Sequence, residues 1–308
     1  MSSMNKDQND ELVIVIPIFN RFDEIKNLLN QLENQSYKNF KVLIVDHGTQ
    51  DFILSSPPDQ FPIEIIKASS QLWFTGAVNR GLEYVINYAG TYIKYVLIMN
   101  DDIIIEDLTL IEKLLDEADD EKIVSCMAIT EQNKIIYAGI KLEKFKFRYR
   151  RIGQGKNVEE LSDDKIICDV LPTRCLLVSI KIIQEIGLLN ENRLPHYGSD
   201  YEWTSRAKKS GFKLVMISSI YLKTKINNKE VSAKKKYEKP IVTTFFKEFF
   251  NKYRRSNIYQ IINYSWLVFG FPYNLLFASF SIFRKITGFF INIFLINPYR
   301  AATLKKEI

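Results

Sequence analysis

Apolar residues in this chain fall into two patterns. Short unbroken runs rich in β-branched residues cover positions 12–18 (LVIVIPI), 40–45 (FKVLIV) and 95–99 (YVLIM). Such runs read as strands buried on both faces. Residues 63–66 read as a shorter strand, 123–129 and 135–142 as further strands, and 166–178 as two short strands around Pro172. Elsewhere apolar residues recur at helical spacing, as with Ile25, Leu28, Leu29 and Leu32 inside 23–35. Thr75 is expected to cap a helix over 76–88, and Asp107 one ending near Ala118. A short helix over 179–186 is expected to stop at Gly187. Strands alternating with helices predict an α/β fold, a mostly parallel sheet with right-handed crossovers and helices on its faces.

The polar breaks in this pattern carry the candidate chemistry. The run at 95–99 ends abruptly in Asn100, Asp101 and Asp102, and a second apolar run follows. Adjacent carboxylates are costly to bury without a cation or hydrogen-bond donors. A solvated turn is one reading. The other is a ligand site, where Mg²⁺ or Mn²⁺ rests on one or two carboxylates and a substrate phosphate supplies further oxygens. Asp46 likewise ends the run at 40–45. In parallel sheets ligands bind at the carboxyl ends of strands, so the coincidence favours a site. Neither G-x-G-x-x-G nor G-x-x-x-x-G-K-[ST] follows an early strand, which argues against a dinucleotide fingerprint and a P-loop.

A second constellation lies at 194–211 (LPHYGSDYEWTSRAKKSG). Ser199-x-x-Glu202 reads as a capping box, and Glu202 stands four before Arg206 for a helical ion pair. Asp200 is not needed by that box. In the first turn of a helix it would stay ionised, which suits a general base or simple dipole compensation. His196 reads as a loop residue packed near a site.

Composition narrows the picture. The 308 residues allow a large α/β domain plus an appendage, and 46% hydrophobic with 25% charged residues is an ordinary globular balance. A formal charge of +6 is mild and reflects patches, not a nucleic-acid footprint. Three cysteines without C-x-x-C spacing suggest buried, reduced thiols, and the polar first residues show no apolar stretch of signal-peptide type. With two histidines, a His-rich zinc site is nearly excluded.

With these residues in hand, the chain resembles glycosyltransferase family 2 over residues 12–225. The likeness rests on VIVIPIFNR, VLIVDHGTQD, LWFTGAVNRGL, LIMNDD and IGLLNENRLPHYGSDYEWTSRAKKSG, in that order. The last block is especially similar to bacterial transferases that build surface polysaccharides. The resemblance implies a GT-A fold and an inverting transfer from a nucleotide-sugar donor, of UDP or dTDP type, to a glycan or lipid-linked acceptor. It implies that Pro17, Asn20 and Arg21 line the nucleotide pocket and that Asp46 binds base or ribose. Trp73, Gly76 and Asn79 would shape the loop under the donor sugar. Asn100-Asp101-Asp102 occupies the D-x-D place, with an amide for its first acid, so the metal, Mg²⁺ or Mn²⁺, would rest mainly on Asp102. Asp200 matches the second acid of the family's Glu-Asp pair, the expected base, and Ser199 stands where the first acid would be. The family's late metal-binding His has no counterpart at 221–225 (YLKTK).

The remainder, residues 226–308, changes character. Lys234, Lys235, Lys236 and Lys239 form a basic linker, then Phe245, Phe246, Phe249 and Phe250 alternate with cations. Residues 256–283 carry no charge, a stretch about long enough to span a bilayer but interrupted by Pro272. Helices lying on the cytoplasmic face of the membrane are expected, with Lys and Arg at the headgroups and aromatics in the interface. The alternative is a helical pair packed on the catalytic domain or on a second subunit, a homo-oligomer. The basic-aromatic run at 144–151 (KFKFRYRR) reads as a strand with Phe145, Phe147 and Tyr149 on one face, either a charged edge or a surface for an anionic acceptor or membrane. Two rival functions are a sugar-phosphate nucleotidyltransferase, disfavoured because IPIFNR is no Gly-rich basic loop, and a decayed membrane-bound scaffold of the same fold.

Overall fold

A computed structural model describes residues 11–54, 56–88, 92–224, 241–251 and 254–296. The basic linker expected at 226–240 lies outside them. The elements in chain order are β1 (Leu12–Ile18), α1 (Phe22–Glu33), β2 (Phe40–Asp46), β3 (Ile63–Lys67), α2 (Trp73–Tyr88), β4 (Tyr95–Met99), β5 (Ile103–Ile104) and α3 (Leu110–Asp116). There follow β6 (Lys122–Thr130), β7 (Ile135–Tyr137), β8 (Ile140–Glu143), β9 (Arg148–Arg151), β10 (Lys165–Ile167) and β11 (Cys175–Ser179). The chain continues through α4 (Ile180–Ile186), α5 (Ser199–Lys209), β12 (Lys213–Thr224), α6 (Ile241–Phe249), α7 (Ile258–Val268) and α8 (Tyr273–Ile291). The described residues form two compact units, one within Met1–Lys141 and Tyr149–Ile226, the other within Leu142–Arg148 and Asn227–Ile308.

The first unit is built on a mixed sheet in the order β10-β12-β6-β11-β4-β1-β2-β3. The unbroken apolar runs at β1, β2 and β4 are buried along their whole length, as strands covered on both faces must be. β1 runs parallel to β2 and to β4, and Ile18 pairs with Asp46, so these strands end together. β11 is antiparallel to both β4 and β6. Its amino end therefore lies beside the carboxyl end of β4, with Cys175 opposite Met99. The three cysteines are buried and free.

Several local expectations change on folding. α2 begins at Trp73, and Thr75 does not cap it. The Thr75 hydroxyl instead donates to the Leu194 carbonyl at 2.8 Å and bonds the Ser199 hydroxyl at 2.8 Å. The Ser199 capping box does not form, because Gly198 takes the cap position at φ 84° and Ser199 is already helical. A left-handed cap favours glycine. Glu202 does pair with Arg206, at 3.0 Å. Asp107 accepts from the Thr109 amide at 2.9 Å and stands two residues before Thr109, which takes the cap position of α3.

The expected strand at 144–151 is shortened to β9. Lys144–Lys146 forms a single 3-10 turn closed by Phe147 at φ 48°, so alternation fails there. Phe145 is 99% exposed. Phe147 instead stacks on Phe280 at 4.8 Å. α8 holds this tip by its backbone: the Tyr273 hydroxyl donates to the Lys144 carbonyl at 2.7 Å and Arg284 to the Lys146 carbonyl at 2.8 Å. The uncharged run at 256–283 is not one helix, because α7 ends at Val268 and α8 starts after Pro272. Proline lacks the amide a continuing helix needs. Among the described residues the one helix long and apolar enough to cross a membrane is Tyr273–Phe294, 22 residues with mean hydropathy 1.3.

Candidate active site

Four loops meet at the ends of β1, β2 and β4. Asp46 closes β2 as a buried carboxylate that accepts from the Gly48 amide at 2.9 Å, the Phe52 amide at 3.1 Å and Lys67 at 3.0 Å. Burial opposes its charge, but those donors outweigh it and hold its pKa below the usual carboxylate range. Asn20, at φ 53°, latches the β1 loop to this one: its carbonyl accepts from the Thr49 and Gln50 amides at 2.9 and 3.2 Å. A Cβ on Gly48 would collide with that Asn20 oxygen, so the latch requires glycine. Pro17 is buried within β1 opposite Val45. Asn20 and Pro17 thus shape the crevice, with the Asn20 amide already engaged.

Arg21 reaches across to the end of β4. Its Nη1 bonds Asp101 at 2.9 Å and lies 3.4 Å from Asp102. Burial pushes the Asp101 carboxyl up to about 6, Arg21 working against that and Asp102 adding to it. Asp102 Oδ1 and Asn100 Oδ1 are buried oxygens without a hydrogen-bond partner. Hard oxygens lacking donors are what Mg²⁺ and Mn²⁺ take up. Among the described residues no group of three His, Cys, Asp or Glu side chains is placed to hold a metal. The site therefore suits a cation completed by a ligand's own oxygens better than a protein cage.

Asp200 lies in the first turn of α5, where its carboxylate accepts from the Tyr201 amide at 2.9 Å. The helix is well anchored. Trp203 donates to the Gly187 carbonyl at 2.7 Å, and Arg206 bridges Glu202 and the Leu188 carbonyl, the latter at 2.9 Å. The loop before it is held by α2. Asn79 donates to the Leu189 carbonyl and to Glu191, both at 2.9 Å, and accepts from the Leu189 amide at 3.0 Å. A Cβ on Gly76 would meet Glu191 at 3.2 Å, so this approach is close. Trp73 sits at φ 55°, a strained backbone for a bulky residue. Its ring lies 6.0 Å from His196, edge-on. Burial lowers the pKa of both histidines, of His47 to about 4, and each has a buried Nδ1 without a partner.

Two residues here were not singled out by the sequence. Arg174 precedes β11, and its carbonyl accepts from the Asn100 amide at 3.0 Å. Burial opposes its charge, but Tyr137, Asp102 and Asp200 outweigh it and raise its pKa. It thus shares a field with both Asp102 and Asp200. Tyr137, buried at the end of β7, is the phenol against it. The one available signal was a charged residue flush against an apolar run, but at the amino end of that run.

Residues 13–183 match the model of glycosyl transferase family 2. The amylovoran biosynthesis glycosyltransferase AmsB of Erwinia amylovora is 28% identical over 214 residues, covering 67% of this chain and 66% of that protein. An uncharacterized glycosyltransferase of Haemophilus influenzae is 25% identical over 158 residues, covering 51% and 48%. The chain thus spans only part of the length of these relatives. Among solved structures, GalNAc-T7 with UDP, GalNAc and Mn²⁺ aligns with a TM-score of 0.58 at 10% identity, over 87% of this chain and 49% of that one. TarS of S. aureus aligns at 0.50 with 13% identity, over 84% and 43%. These two share the fold.

Proposed function

The chain belongs to glycosyl transferase family 2, and from that membership we propose an inverting transfer of a sugar from a nucleoside diphosphate donor, UDP or dTDP type, to a hydroxyl of a glycan or lipid-linked acceptor. The relative in amylovoran biosynthesis supports a role in bacterial surface-polysaccharide synthesis. The observation that carries the reading is the convergence of three acidic blocks, far apart in sequence, at one edge of the sheet. Asp46 ends β2, Asp102 lies in the turn after the parallel strand β4, and Asp200 acts on the same Arg174 as Asp102.

In this mechanism the nucleoside end of the donor lies toward Asp46 and the diphosphate toward Asp102. Asn100 and Asp102 would hold Mg²⁺ or Mn²⁺, which supplies charge neutralisation for the diphosphate when bound. Asp200 takes the proton of the acceptor hydroxyl. The acceptor oxygen bonds the anomeric carbon from the far side as the bond to the phosphate oxygen breaks. That oxygen keeps the electron pair, and the configuration inverts. Burial lowers the pKa of both histidines, and with Trp73 beside His196 this supports an aromatic surface suited to a sugar ring. Thermal melting with UDP-, dTDP- and GDP-sugars, with and without Mn²⁺, tests the reading. A donor at about a hundred times its dissociation constant should add about 2.7 kcal/mol of stability. No shift with any donor would favour a binding protein of the same fold.

The second unit supports a seat on the cytoplasmic face of the membrane. Leu276, Phe280, Phe283, Phe290 and Phe294 follow helical spacing on one side of α8 and its extension, each between 39% and 66% exposed. Lys144, Lys146, Arg148, Lys247, Arg254, Arg255, Arg284 and Lys285 outnumber Glu143 and Glu248 among its described residues. An apolar face with cationic flanks suits anionic lipid. The protein should float with phosphatidylglycerol vesicles and be released by salt. A soluble dimer in sedimentation, with no vesicle binding, would instead assign the stripe to a second subunit.

A further inference from the structure

Arg174 is placed by main-chain geometry at the ligand edge. β11 runs against β4, and the Arg174 carbonyl takes the amide of Asn100 at 3.0 Å. Its Nε is buried and has no hydrogen-bond partner. Among the described residues no carboxylate forms an ion pair with it. Asp102 and Asp200 act on it only across space, and Tyr137 lies against it. Burying a guanidinium without a direct counter-ion costs several kcal/mol. The Arg174 Nε, beside the end of β4, is thus a donor left for an anion to satisfy.

Resting on the family-2 reading, we infer that Arg174 binds the donor's diphosphate and so forms a second cationic element of the leaving-group site. The acceptor hydroxyl and a neutral sugar ring bring no charge, so the diphosphate is the anion common to every donor of this class. A guanidinium offers a planar fork of donors matched to phosphate oxygens. Asp102 and Asp200 both act on Arg174, so a phosphate held by its guanidinium would lie near the residues assigned here to the diphosphate and to the acceptor. Negative charge grows on the departing phosphate oxygen as the anomeric bond breaks, and a preorganised cation there lowers that barrier.

The test compares nucleoside with nucleoside diphosphate binding by calorimetry in Mn²⁺, using uridine and UDP, thymidine and dTDP, and guanosine and GDP. Wild type is set against Arg174→Met, whose apolar side chain of similar length removes a buried charge and preserves folding, and against Arg174→Lys. The diphosphate should bind about ten- to a hundredfold more weakly to the Met variant, with the nucleoside unchanged and Lys restoring part of the loss. Equal losses for nucleoside and diphosphate would make Arg174 structural, and no loss would overturn the inference. A loss confined to UDP-glucuronate, with UDP unaffected, would overturn it in favour of a sugar carboxylate. A wild type that binds uridine but gains nothing from the diphosphate refutes the inference alone. A wild type that binds none of these compounds refutes the proposed nucleoside diphosphate donor with it.

Discussion

Replacing Asp200 with Asn should lower turnover by about 10²- to 10⁴-fold, the range a positioned general base contributes. Asn matches Asp in shape but cannot accept the acceptor proton. The surrounding anchors do not involve the Asp200 carboxylate: Trp203 to the Gly187 carbonyl, Arg206 to Glu202, and Thr75 to Ser199 all remain. The melting temperature and the affinity for nucleoside diphosphate should therefore stay near wild type. Single-turnover transfer, or donor hydrolysis if the acceptor is unknown, read beside calorimetry separates the two effects. Near-normal turnover in Asp200→Asn would remove the residue from the mechanism. Loss of both turnover and nucleotide binding would make it structural.

Asp102→Ala should abolish the part of donor affinity that depends on metal, a loss of about ten- to a hundredfold for a charged ligand contact. Asp102 is the carboxylate with a buried oxygen left unpartnered, whereas Asp101 is held by Arg21 at 2.9 Å. Asp101→Ala should consequently act mainly through Arg21 and weaken donor binding with or without Mn²⁺. Donor titrations of both variants, in Mn²⁺ and in chelator, distinguish the two roles. A Mn²⁺ increment that survives in Asp102→Ala would show that the D-x-D position does not hold the cation in this protein.

The sequence announced the scaffold clearly because burial on both faces leaves a strong trace. The runs at β1, β2 and β4 admit almost no polar residue until the strand ends, so Asp46 and Asn100-Asp101-Asp102 stood out as breaks at carboxyl ends. Gly187 was legible as a helix stop, and its amide does bond the Ile183 carbonyl at 2.8 Å. Local hydroxyl chemistry was less readable. Thr75 and Ser199 each fit a capping pattern, yet a hydroxyl bonds whatever the fold brings within reach, and here they reach each other across 124 positions. The basic-aromatic run at 144–151 misled for a related reason. Alternation continues a strand only while the chain runs straight, and Lys144–Lys146 lies at the reversal between the paired strands β8 and β9.

By itself, then, the chain determined an α/β sheet, the places of its early strands along the chain, and the acidic residues at their ends, because hydrophobic period and strand-end polarity are local properties. Only the tertiary structure decided what those acids face. The direction of β11 is not encoded in its apolar composition, which reads the same forwards and backwards. Its antiparallel run carries the amino-end residue Arg174 to the edge where parallel strands present their carboxyl ends. The pairing of Arg21 with Asp101 spans 80 positions, and the shared field of Asp102, Arg174 and Asp200 joins the turn after β4, the residue before β11 and the first turn of α5. Electrostatic interaction depends on distance through space and on burial, and neither can be read from separation along the chain.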